Sequence, residues 1–123
     1  MTIGNALALA DRLIPNQVDG PVKLLWLNEL DRQADTELHR THKGPWPPFG
    51  GYPGDVSMDR ELLIPPPYDG VYLWYLELRV WDAAGALRRY NNAVQKFNAA
   101  WQSYKDYVNR TYPPLGVRGL RLM

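Results

Sequence analysis

Apolar side chains recur at helical spacing in four stretches of this chain, and the longest interval between them is occupied by proline and glycine. In the first stretch Ile3, Leu7, Ala10 and Ile14 are separated by four, three and four residues. Thr2 stands where a helix N-cap belongs, and Pro15 and Asn16 close the segment, so the pattern predicts a short amphipathic helix. A second helix is predicted to begin near Asp19, Gly20 and Pro21, because proline suits the first turn. It carries Val22, Leu25, Trp26, Leu30, Ala34 and Leu38, with Leu24 and Leu27 widening the apolar face, and ends at Thr41 to Gly44.

Residues 44–67, GPWPPFGGYPGDVSMDRELLIPPP, hold seven prolines and four glycines, which excludes a continuous helix. Long irregular segments in small domains are usually functional or disordered, and Trp46, Phe49 and Tyr52 argue that this one docks on something. Met58 to Ile64 reads as an extended piece with Leu62 and Ile64 facing one way, and the triple proline makes a stiff lead into the next helix.

The third helix is predicted from about Asp69 to Leu87. From Val71 onward it shows only Glu77, Arg79 and Asp82 as charges, so it must be covered on most sides. Ala83, Ala84, Gly85 and Ala86 form a small-residue patch in which the helix either kinks or runs straight. The fourth helix, with Asn91 or Asn92 as its cap, places Ala93, Phe97, Ala100, Tyr104, Tyr107 and Thr111 at alternating spacings of four and three. Pro113 and Pro114 end it. Residues 115–123, LGVRGLRLM, are either an arm that adds to a neighbour or a disordered tail.

The predicted architecture is therefore all-α: one domain over residues 1–123, a four-helix bundle-like subunit with an irregular loop at 44–67 and a C-terminal arm at 115–123. Its third and fourth helices make a hairpin unusually rich in aromatics. Tyr72, Trp74, Tyr75 and Trp81 crowd one limb, and Phe97, Trp101, Tyr104 and Tyr107 the other. Such side chains either fill the core or serve an interface, being apolar over most of their area with a polar tip. Trp46, Phe49, Tyr52, Trp74, Tyr75, Trp81, Trp101 and Tyr104 are the candidate interface residues.

Composition narrows the chemistry. Cysteine is absent, which removes disulfides and thiolate nucleophiles. Fourteen basic against thirteen acidic residues leave a net charge of +1 without a basic stripe, so strong electrostatic binding to nucleic acid is not indicated. No basic leader and no run of ~18 apolar residues is present, which reads as a soluble chain that does not leave by the general secretory route.

His39 and His42, with Asp35 and Glu37 nearby, have metal-compatible spacing, yet no third ligand follows in a meaningful register. The preferred reading is two polar residues at a fraying helix end. Asp31 with Asp35 and Glu29 with Arg32 read as ordinary solvated helix faces. No phosphate-binding glycine loop, HExxH or GxSxG occurs, so no catalytic residue, cofactor or metal is assigned and the chain is not expected to be an enzyme. Arg88, Arg89 and Arg110 are candidates for a DNA-lined channel only if several subunits surround it.

Four segments carry a resemblance. These are PNQ at Pro15 followed by KLLWLNELD ending at Asp31, TH at Thr41 and His42, ELLIPPPYDGVYLWYL from Glu61 to Leu76, and RYNNAVQKFNAAWQSYKDYVNRTYPP from Arg89 to Pro114. Together they resemble small helical head-tail connector, or adaptor, proteins of tailed bacteriophages and prophages; RYNN followed by FNAAW and NRT is the most specific part. The resemblance implies a subunit of a ring of about a dozen copies under the portal protein, extending the DNA channel and offering a platform to a tail-side completion protein. It implies a virion location, assembly in the host bacterial cytoplasm, contact with double-stranded DNA without sequence readout, and no membrane or active site. Trp26, Leu30, Tyr68, Tyr72, Tyr75, Tyr90, Asn91, Asn92, Phe97, Trp101 and Asn109 match its recurring pattern as packing or capping residues, whereas the loop at Trp46, Pro47 and Pro48 departs from it. The alternatives are a module that binds a peptide or regulator in an aromatic groove and, third, a hydrolase using a metal at His39 and His42.

Overall fold

A computed structural model describes residues 1–116 of the chain. Four α-helices form it: α1 (Ile3–Leu13), α2 (Gly20–Ala34), α3 (Val71–Ala83) and α4 (Leu87–Thr111). No strand occurs among the described residues; two isolated antiparallel bridges, Thr2 with Glu61 and His42 with Pro114, pin the irregular segments. No helix there is long and apolar enough to cross a membrane. The expected C-terminal arm lies, from residue 117 onward, outside the described residues.

Local chemistry sets the first two helices as the pattern predicts. The Thr2 hydroxyl accepts from the Asn5 amide at 3.1 Å, and the Asp19 carboxylate accepts from Val22 at 3.2 Å with proline in the first turn of α2. Beyond Ala34 the α2 helix widens into one π-helical turn, Asp35–His39, before Thr41 turns its hydroxyl back to the Glu37 carbonyl at 2.7 Å. Such a turn rotates the residues after it relative to those before it, and here it brings His39 and His42 over α4.

The third helix is shorter than its composition suggests. It stops at Ala83, where Gly85 adopts φ +68°, the Gly85 amide donates to Asp82 and the Ala86 amide donates to Trp81 at 3.0 Å. This is a Schellman stop, and the small-residue patch is the turn of the hairpin. The fourth helix accordingly begins at Leu87; Asn91 and Asn92 lie exposed inside it and cap nothing, while Ala86 at the N-cap makes no side-chain hydrogen bond.

Helix α3 packs against all three others, which explains why it carries so few charges: α4 forms one side of the hairpin and α1 and α2 lie across its other faces. Val71, Tyr72 and Leu76 on α3 meet Leu27 and Leu30 of α2, Ile3 of α1 and Tyr104 and Val108 of α4 in one core. The proline-rich segment closes that core from outside. Leu62 and Ile64 are both buried, but the expected extended piece Met58 to Ile64 is not continuous: Met58 and Asp59 lie in a turn, Leu63 and Ile64 in a bend, and only Glu61 makes a bridge. The carbonyls of Met58 and Arg60 accept from the Gly4 and Ile3 amides at 2.8 and 2.9 Å, satisfying donors that the first turn of α1 leaves open.

Candidate functional site

The two histidines are structural posts between α2 and α4. His39 Nε2 lies 2.6 Å from the Tyr104 hydroxyl, and His42 Nε2 lies 2.8 Å from Asn109 Oδ1 while its Nδ1 faces the Leu38 carbonyl at 2.9 Å. Trp46 roofs this arrangement: its ring stacks on His39 at 4.1 Å and 1° between planes, meets Tyr112 edge-on at 4.6 Å, and donates its Nε1 hydrogen to the His42 carbonyl at 3.0 Å. Burial pushes the His39 pKa down to about 4, with nearby Asp35 opposing the shift, so the ring is neutral near pH 7. Among the described residues no group of three or more His, Cys, Asp or Glu side chains is placed to hold a metal ion.

Asp31 is the residue that the sequence places wrongly. Read as part of a solvated face, it is fully buried, with 0 % of its surface exposed. Its carboxylate accepts from the Tyr52 hydroxyl, from the Tyr72 hydroxyl at 2.5 Å and from the Leu63 amide at 3.1 Å. The Tyr72 hydroxyl in turn accepts from the Ile64 amide at 2.7 Å, and Asn28, one turn before Asp31, accepts from the Tyr52 amide at 3.1 Å. One carboxylate thus ties the proline-rich segment and α3 to α2. Burial raises its pKa, and the three donors, together with the Arg60 charge, oppose the rise. A signal existed in the sequence: Leu24, Leu27, Asp31, Ala34 and Leu38 fall at spacings of three, four, three and four, which puts Asp31 inside an apolar stripe.

The candidate interface residues separate into two groups. Tyr52, Trp101 and Tyr104 are buried by their own chain, Tyr104 completely, so in this fold most of their surface is spent on the core. Trp46, Phe49, Trp74, Tyr75 and Trp81 are half-buried. Phe49 packs edge-on against Tyr52 at 5.0 Å with the Arg32 guanidinium 5.5 Å above its ring. On the hairpin, Lys96 stands 5.0 Å over Trp74 and Arg89 stands 4.8 Å over Trp81, so each ring presents a cation-capped face. Tyr75 donates to Glu29 at 3.2 Å, and burial together with that carboxylate pushes its hydroxyl up to about 12.

The three arginines assigned to a channel are not brought together within one subunit. Arg88 and Arg89 occupy the first turn of α4 and Arg110 its last, roughly 33 Å apart at 1.5 Å per residue. All three are exposed, and Arg89 is engaged by Trp81.

Trp81 is also where three shallow cavities of about 190, 200 and 220 Å³ meet. Their walls come from the hairpin turn, from the first turns of α4 and from the link between α1 and α2, and Leu87 beside them is 71 % exposed. Glu77, Asp82, Arg89, Asn92 and Lys96 stand in these walls beside Trp81, Leu87 and Tyr90, so the groove, at the end of the molecule opposite Trp46, is mixed polar and apolar. Against known protein families, curated proteins and solved structures the chain has no match. What the fold defines is an all-α domain of four helices with α3 at its centre.

Proposed function

We propose that the chain is a non-enzymatic structural subunit of a tailed-phage particle: a head-tail connector that forms a ring under the portal protein, extends the DNA channel and receives a tail-side completion protein. The observation that carries this reading is the pair of separate sticky ends on a molecule whose core is already filled. The Trp81 groove with Leu87 lies at one end, and the aromatic roof at Trp46 with the exposed Leu115 lies at the other. A ring needs two different complementary faces on each subunit, and two such ends supply them. The resemblance of residues 15–31, 61–76 and 89–114 to connector proteins supports the same assignment. Arg88, Arg89 and Arg110 then act through symmetry, since copies around an axis turn scattered cations into a lining for duplex DNA. Assembly takes place in the host bacterial cytoplasm and the product is part of the virion.

Native mass spectrometry across a concentration series, with and without a candidate portal protein from the same genome, tests the proposal. A closed oligomer or stoichiometric uptake onto the portal ring is the expected result. A monomer that ignores the portal refutes it and favours the second reading, a helical interaction module that takes an apolar peptide in the Trp81 groove.

A further inference from the structure

We infer that the exposed face of α4 binds the phosphate backbone of duplex DNA, and that in the proposed ring this face turns inward to the channel. The inference rests on the connector reading for its setting and names the surface that meets the DNA.

The fold partitions the charge of the chain. Helix α4 carries five basic residues and one acidic residue, whereas the rest of residues 1–116 carries seven basic against twelve acidic. A net charge of +1 therefore conceals one cationic helix on an otherwise acidic molecule. Arg88, Arg89, Lys105 and Arg110 take part in no ion pair among the described residues, and Lys96 meets Glu77 only at 3.8 Å. Asp106, the single acid of the helix, accepts from Gln102 at 2.8 Å. Like charges left unpaired along one helix repel one another, and a polyanion relieves that repulsion.

Packing keeps the face open. Among the helices α4 packs chiefly on α3, and it buries Ala93, Phe97, Trp101, Tyr104 and Val108. The opposite side runs about 33 Å from Arg88 to Arg110 and presents Asn92, Gln95, Asn98, Gln102 and Ser103 between its cations. Amide and hydroxyl groups hydrogen-bond phosphate oxygens, and arginine and lysine neutralise them. The Trp81 groove and the Trp46 roof sit at the two ends of this helix, so subunits joined through those ends leave the face between them uncovered.

Side-chain chemistry selects the occupant. Ala99 is the one apolar side chain among the exposed positions between Arg88 and Arg110, and a protein interface needs an apolar or aromatic centre that this face lacks. The aromatic side chains of α4 are all buried or half-buried, so a single strand finds no open ring on which to stack its bases. A duplex, whose outer surface is phosphate, fits cations interleaved with neutral donors.

The test uses the full chain and two variants that each remove two exposed cations, R88Q/R110Q on the face and R12Q/K43Q away from it. Circular dichroism and thermal melts establish that both fold as the parent does. Binding is read by fluorescence anisotropy of a labelled duplex of about 30 base pairs. Five phosphate contacts give a log-log salt slope of about −4.5, so the parent is expected to lose affinity about 500-fold between about 50 and 200 mM salt, whatever the sequence of the duplex. R88Q/R110Q is expected to bind more weakly at low salt and to lose only about 40-fold over the same range, while R12Q/K43Q follows the parent. A parent that does not bind the duplex at low salt overturns the inference, and so do two variants that lower the slope equally, since the charge would then act from anywhere on the surface. If R88Q/R110Q loses uptake onto the portal ring in native mass spectrometry, the face is a protein contact, which overturns the inference and leaves the connector reading standing. Duplex binding through α4 in a chain that ignores the portal supports the DNA face and removes the connector reading.

Discussion

Replacing Asp31 with alanine removes the acceptor on which two hydroxyls and one amide converge. The Tyr52 and Tyr72 hydroxyls and the Leu63 amide that donate to it are buried or part-buried, whereas the Ile64 amide keeps the Tyr72 oxygen as its acceptor. A hydrogen bond to a charged group contributes about 1.5–3 kcal/mol net, and each stranded buried donor costs about 1–3 kcal/mol. Three such bonds do not simply add, because removing the carboxylate also relieves the desolvation that raises its pKa. The expected loss for Asp31→Ala is about 3–5 kcal/mol, and for Asp31→Asn, which keeps one acceptor oxygen, about 2 kcal/mol. Urea denaturation followed by tryptophan fluorescence reads this as a lower midpoint at unchanged slope. Tyr52→Phe, alone and combined with Asp31→Ala, completes a double-mutant cycle. If the alanine variant lies within about 0.5 kcal/mol of the parent, or if the two losses add within about 0.5 kcal/mol, Asp31 is not the tie between loop and core.

His39 gives a pH prediction of defined sign. Its folded pKa of about 4 lies below the ordinary 6.5, so the folded state binds the proton less readily than the unfolded chain. Stability from this residue is full above pH 6.5 and falls as pH drops toward 4, by about 2 kcal/mol at pH 5. Asp31 opposes it: with its pKa raised above 3.8, its contribution grows as pH falls through the folded value, and Asp31→Asn therefore steepens the acid loss. His39→Gln should flatten the difference between stability at pH 7 and pH 5; an unchanged slope would show that His39 is not buried as a neutral ring. Trp46→Ala takes the cover off His39 and should move its NMR-titrated pKa from about 4 back toward 6.5, and no movement would mean that Trp46 does not shield it. Gly85→Ala forces a β-carbon into φ +68° and should cost about 1 kcal/mol in thermal or chemical melts, with Gly85→Asn closer to the parent. Equal stability of Gly85→Ala and parent would contradict the left-handed stop of α3.

Where a structural decision depends on a few neighbouring residues, it can be read from those residues alone. Thr2 and Asp19 cap α1 and α2 because a short side-chain oxygen can reach an amide three residues on whatever the rest of the molecule does. Proline content alone excludes a helix between residues 44 and 67, and the scarcity of charge on α3 announces that the helix is covered. Which of two locally acceptable outcomes prevails depends on contacts with distant segments. Gly85 in an alanine patch is compatible with a continuous helix or a stop, and the stop prevails where α3 turns back to pack along α4. Asn91 and Asn92 are good caps that lie unused once Leu87 begins the helix earlier. Tyr104 and Trp81 are both aromatics on a helical hairpin, yet one is fully buried and the other half-exposed, because burial depends on what arrives from distant segments. Asp31 shows the reason most plainly. A carboxylate on an apolar stripe is unfavourable by local rules, and it becomes an anchor only when Tyr52, Leu63 and Tyr72, 21 to 41 residues away, bring their donors to it.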